Sequence, residues 1–173
     1  MTPTGILEAV LYAKDLRGIE AFYKRALGLE PYAKAEGRHV FFRCGGQMLL
    51  IFNPDVTELA PEAQGPIAVP SHGCRGEGHV CFRASGEEIA AWRAHLEKEG
   101  IEIEADFEWP GGGRSIYFRD PAGNAIEFAE PRIEFRTNAE LEQRIEHAPN
   151  QRIAHHQPRA ARIAQTVGEV AQE

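Results

Sequence analysis

The chain states one pattern twice, and this internal repeat constrains its fold more than any other feature. Leu27-Gly28-Leu29-Glu30 corresponds to Glu99-Gly100-Ile101-Glu102, and Phe41-Phe42-Arg43 corresponds to Tyr117-Phe118-Arg119. Gly46 through Pro54 aligns with Gly123 through Pro131 without a gap. Each copy is too small to bury an apolar face alone, so the two are expected to share one core.

Within the first copy, Ile6 to Ala13 reads as a strand. Asp15 is placed to cap a helix from Leu16 to Leu27, whose face carries Ile19, Phe22, Ala26 and Leu27, and Gly28 sits at the stop position. Extended stretches follow at Pro31 to Ala35, His39 to Arg43 and Gln47 to Asn53, divided by Glu36-Gly37 and Gly45-Gly46. The second copy repeats the order. His79 to Ala84 is a strand, Ser85 with Glu88 forms a capping box for a helix to Glu99, and Ile89, Trp92 and Leu96 make its stripe. Extended stretches then run over Ile101 to Trp109, Arg114 to Arg119 and Ala125 to Glu130, with Gly111-Gly112-Gly113 as a hairpin tip. The expected fold is α+β, with two paired βαβββ modules and a C-terminal helical extension. The boundaries are 1–54, a Pro/Gly-rich connector 55–75, 76–131, and a tail 132–173 with helices at Ala139 to His147 and Pro158 to Ala171.

Charge excludes one class of partner. Lys and Arg number 19 and Asp and Glu 26, a net charge of −7. Residues 1 to 131 hold 13 basic and 20 acidic side chains, while the tail is balanced at 6 and 6. An acidic body without a basic stripe repels phosphate backbones, so no nucleic-acid partner is expected. Apolar runs of a few residues, such as Met48 to Phe52, are too short for a membrane span, and no basic-then-apolar leader opens the sequence. The expected address is the cytoplasm. Cys44, Cys74 and Cys81 show no CxxC spacing, as suits reduced thiols.

Strand parity locates the chemistry. Glu8, Val10 and Tyr12 share a face, as do His79, Cys81 and Arg83, and as do Ala125, Glu127 and Ala129. Leu7, Ala9 and Leu11 take the opposite, helix-covered side. If pseudo-twofold symmetry brings the copies together, Glu8, His79 and Glu127 converge as two carboxylates and one imidazole, a reasonable set for a divalent ion. Each also has a plainer reading, with His79 a surface residue, Glu8 paired to Arg83 or Arg43, and Cys81 a small filler. His155 and His156 are adjacent, and adjacent residues on a helix do not share a face, and Gly111-Gly112-Gly113 lacks the Lys-Ser/Thr of a phosphate loop.

The segments Leu7-Glu8-Ala9-Val10-Leu11-Tyr12, Ala21-Phe22-Tyr23 with Leu27-Gly28-Leu29, and Tyr117 through Glu127 closely resemble the vicinal oxygen chelate superfamily. That group includes glyoxalase I, extradiol dioxygenases, fosfomycin-resistance thiol transferases and bleomycin-binding proteins. The resemblance covers residues 5 to 131 and implies that the paired modules form a U-shaped mixed sheet cup around one metal, with ligand positions falling on Glu8, Leu50, His79 and Glu127. Leu50 cannot coordinate, so the metal set is Glu8, His79 and Glu127, fitting Zn, Ni, Fe or Mn. The implied activity is that of a divalent-metal-dependent enzyme, most like a lactoylglutathione lyase. Glu127 and Glu8 are the candidate proton-transfer groups, and Tyr12, Arg83, Phe107 and Trp109 the candidate substrate contacts. A ring-cleaving dioxygenase and a non-catalytic drug-binding protein are the alternatives. The narrow apolar stripe of the tail (Ile163, Val167, Val170) and the habits of similar proteins lead to an expected homodimer.

Overall fold

The computed structural model describes residues 2–60, 67 and 69–131. The first repeat contains β1 (Glu8–Tyr12), α1 (Leu16–Leu27), β2 (Pro31–Ala35), β3 (His39–Cys44) and β4 (Gln47–Phe52). After a short α2 (Pro54–Thr57), the second contains β5 (His79–Arg83), α3 (Gly86–Lys98), β6 (Ala105–Glu108), β7 (Arg114–Arg119) and β8 (Ala125–Ala129). Each copy is one four-stranded mixed sheet, in the orders β1-β4-β3-β2 and β5-β8-β7-β6. In each, the first strand runs parallel to the last, and the remaining neighbours are antiparallel. The expected α+β pair of βαβββ modules is therefore the observed fold.

Local chemistry sets these boundaries. The Asp15 side chain accepts from Gly18 N, and Gly28 closes α1 at φ 64°, a left-handed value that a side chain would strain. Ser85 and Glu88 form the reciprocal capping box at the start of α3. α2 lies in the segment read from sequence as irregular, where the Asn53 side chain accepts from Asp55 N and Pro54 occupies the first turn. β6 begins later than its apolar stretch, because Ile101 and Ile103 pack on the core from the connection rather than from the sheet.

Leu11, Val40, Phe42, Leu49 and Ile51 of one sheet and Ile116, Phe118, Ile126 and Phe128 of the other bury their side chains with Ile19, Phe22, Tyr23, Ala26, Ile89 and Leu96 from the helices, in one cluster. Helix α1 buries Tyr23 as well as the expected face. The seam is polar as well as apolar. Gly78 N donates to Asn124 Oδ1 at 2.8 Å, and Asn124 Nδ2 donates to the carbonyl of Tyr12 at 3.3 Å. Leu7, expected under a helix, is 73% exposed because β1 begins only at Glu8. The tail helices lie outside the described residues.

Candidate metal and substrate site

Parity on β5 and β8 does bring His79 and Glu127 together. His79 Nε2 lies 3.3 Å from Glu127 Oε2, with the imidazole half-exposed and the carboxylate 5% exposed. The other imidazole nitrogen, Nδ1, is 3.2 Å from the carbonyl oxygen of Ala125. A carbonyl can only accept, which assigns the proton of a neutral ring to Nδ1 and leaves the Nε2 lone pair facing the carboxylate. Two lone-pair atoms facing each other call for a proton or a cation between them. Glu127 Oε1 is buried with no hydrogen-bond partner, an expense a folded chain seldom carries without use.

The carboxylate acts on its neighbours. Partial burial, followed by the charge of Glu127, pushes the Cys81 thiol up to about 12. Burial and Glu127 likewise raise the Tyr117 hydroxyl well above its ordinary value. Both groups therefore keep their protons at neutral pH, and Glu127 Oε1 has no hydrogen-bond partner. Cys81 is a protonated donor at neutral pH, not a thiolate nucleophile. All three cysteines are free.

An aromatic row runs along the same face. His79 stacks on Tyr117 with centroids 6.1 Å apart, and Tyr117 stacks on Phe107 at 5.8 Å with an interplanar angle of 9°. Phe107 meets Trp109 edge-on at 4.9 Å. Two of the expected substrate contacts, Phe107 and Trp109, therefore belong to the row that starts at His79, with Tyr117 between them and the His79–Glu127 pair. Tyr12 is engaged elsewhere: its hydroxyl is 2.8 Å from His72 Nδ1, and it borders a cavity of about 440 Å³ that Ile19, Pro54, Cys74 and Pro121 also line. Arg83 is exposed at the end of β5. Glu8 is exposed at the start of β1, and among the described residues no group of three His, Cys, Asp or Glu side chains is arranged to hold an ion. The pair itself fits a metal nonetheless, because its imidazole is oriented by a backbone carbonyl in the manner of ligating histidines and its carboxylate has an oxygen to spare.

The other half of the repeat shows what the pair replaces. Cross-strand partners Tyr117 and Glu127 of β7 and β8 occupy the positions of Phe41 and Leu50 on β3 and β4. There the surface is apolar and aromatic: His39 stacks on Phe41 at 4.1 Å, and Phe41 meets Phe52 at 5.2 Å. Sequence reasoning missed Tyr117 and Ser115 as site residues. Their signal was present, since polar side chains alternate on β7 with the buried Ile116 and Phe118 on a face that already carries Glu127 through its neighbour.

The family model of the Glyoxalase/Bleomycin resistance protein/Dioxygenase superfamily matches residues 5–128. A solved lactoylglutathione lyase from Agrobacterium tumefaciens is 41% identical, with a TM-score of 0.73 over 79% of this chain and 100% of that one. A glyoxalase/bleomycin resistance protein/dioxygenase from Nocardioides is similar in fold, at 24% identity and a TM-score of 0.58 over 75% of this chain and 85% of its own. The match runs from before β1 to within β8 and takes in both modules and the His79–Glu127 pair, so the chain belongs to the Glyoxalase/Bleomycin resistance protein/Dioxygenase superfamily.

Proposed function

We propose that the chain is a divalent-metal-dependent enzyme, most like a lactoylglutathione lyase, acting on a small molecule that presents two neighbouring oxygens. One observation carries this reading: His79, its Nδ1 committed to the Ala125 carbonyl, turns Nε2 toward a buried carboxylate whose second oxygen is unpartnered. The 41% identity to a lactoylglutathione lyase supports the class of reaction.

In this reading His79 and Glu127 hold the ion, with Glu8 as the third ligand, and Zn, Ni, Fe and Mn all suit one imidazole and two carboxylates. When bound, such an ion supplies Lewis acidity, orienting adjacent oxygens and stabilising negative charge that develops on them. Glu127 is the proton-handling group, since its second oxygen is buried without a partner beside His79. Glu8 is the second candidate base. Phe107 and Trp109 extend the aromatic row beyond Tyr117 as a substrate wall, and Tyr12 and Arg83 complete the substrate space. Exposed Ile6, Leu7 and Val10 flank Glu8, and covering them is the role we assign to a second copy in a homodimer. We place the protein in the cytoplasm; no helix among the described residues is long and apolar enough to cross a membrane.

A non-catalytic drug-binding role is favoured by a different observation, the absence among the described residues of three donors already grouped for an ion. Turnover decides between them. Protein loaded with Zn or Ni is expected to isomerise the methylglyoxal–glutathione adduct, and Glu127→Gln to lose at least a hundredfold in kcat. Ring cleavage of catechols by the Fe-loaded protein, without lyase activity, would move the assignment to the dioxygenases, and inactivity with either substrate class would move it to binding.

A further inference from the structure

We propose that the cavity at the seam of the two modules binds a free α-amino acid with an apolar side chain. None of His79, Glu127, Tyr117, Phe107 or Trp109 lines it. Residues of both modules and of the connection between them build it, and its volume of about 440 Å³ falls within the range of about 300–1,000 Å³ typical of small-molecule sites.

The floor of the cavity is apolar and its mouth is charged. Ala13 and Ile19 are 5% and 1% exposed, and Pro54 is buried. Lys14, Asp15, Arg75 and Glu77, all exposed, line the mouth. Two cations and two carboxylates together match a ligand of no net charge. The signs are also separated. Lys14 Nζ at 2.9 Å and Arg75 Nη1 at 2.7 Å share the Asp55 carboxylate on α2, which sets the two cations side by side. Glu77 turns the other way, to Arg119 Nη1 on β7 at 3.0 Å. Gly76 lies between Arg75 and Glu77 at φ 122°, a value that a side chain would strain, and so lets the two diverge.

Neither sign is used up by these pairings. An ammonium has three donors and a guanidinium five, of which Asp55 takes one from each and Glu58 one more from Arg75. A carboxylate has about four acceptor sites. Among the described residues Asp15 accepts from Gly18 N, and Glu77 accepts from Arg119 Nη1. A ligand carboxylate fits the two cations, an ammonium fits the two acids, and an apolar side chain fits the floor. An α-amino acid carries all three on one carbon.

The test uses the full chain without added metal and L-phenylalanine as the probe, read by titration calorimetry. Phenethylamine and 3-phenylpropanoate are the controls, each lacking one of the two charges. One site per chain is expected for L-phenylalanine, with binding about tenfold weaker or worse for each control, as loss of a charged hydrogen-bonding group implies. Arg75→Gln and Glu77→Gln are expected to weaken L-phenylalanine by a similar factor, and Ala122→Phe, which fills the cavity from its exposed rim, to abolish binding. The controls carry the test if a variant does not fold. No binding of L-phenylalanine, equal affinity for either control, or wild-type affinity in Ala122→Phe would overturn the site and leave the metal reading, which rests on other residues, standing.

Discussion

The hydroxyl of Tyr23, on the helix of the first module, donates to Asp120 Oδ2 at 3.2 Å in the turn that precedes the last strand of the second. Both residues are buried. Asp120 also accepts from Ala122 N, Asn124 N and Asn124 Nδ2, each at 2.9 Å, so this bond joins a helix to a fully organised turn. Tyr23→Phe deletes the donor and leaves a buried carboxylate oxygen short of one bond. The expected loss is about 1–3 kcal/mol of unfolding free energy, read by urea denaturation.

The same tyrosine is expected to couple the stability of the fold to alkaline pH. Burial, then the charge of Asp120 and its hydrogen bond, hold the Tyr23 hydroxyl well above its ordinary value of 10.0. In the unfolded chain it ionises normally, so above that value the folded state binds the extra proton and stability falls as pH rises. Below it the contribution is complete. Urea midpoints of wild type are expected to drop above about pH 10 more steeply than those of Tyr23→Phe, whose lower starting stability lacks this dependence. Parallel slopes would remove Tyr23 as the cause.

Gly78 immediately precedes His79 and has no room for a side chain. A Cβ there would meet Leu11 Cδ2 at 2.8 Å and Asn124 Oδ1 at 3.0 Å. Gly78→Ala is expected to cost about 1–3 kcal/mol by overpacking the seam, and to weaken metal binding because the shift falls on the neighbouring residue. Asn124→Ala opens the same seam by removing its bonds to Gly78 N, the Tyr12 carbonyl and Asp120. Thermal melts and cobalt titrations of the two variants should weaken together.

Glu127 is expected to trade stability for function. It is buried, and one of its oxygens has no partner. The equivalent Leu50 shows that this position packs well with an apolar side chain opposite an aromatic ring. Glu127→Leu should therefore be neutral or stabilising by up to about 2 kcal/mol while abolishing metal binding. A loss of more than about 2 kcal/mol would show that the carboxylate serves the fold.

The sequence repeat made most of this architecture legible, because each copy carries its own punctuation: Asp15 and Gly28 bound one helix, and Ser85 with Glu88 opens the other. Strand parity was enough to put His79 and Glu127 on one face, since a single face of each strand is apolar. It was not enough for Tyr23, whose burial depends on a partner 97 residues away, nor for Tyr12, which turns to His72 in a connector without periodicity. The Trp109–Ser115 bond was hidden for a related reason. Ser115 is an ordinary polar strand residue until the hairpin returns Trp109 to it.

The most direct measurement is the metal stoichiometry and affinity of wild type, His79→Ala and Glu127→Gln, by elemental analysis and titration calorimetry with Zn. We expect one ion per chain in wild type and at least hundredfold weaker binding in each variant. An ion retained with wild-type affinity in both variants, or none bound by wild type, would contradict the assignment of His79 and Glu127 as the metal site.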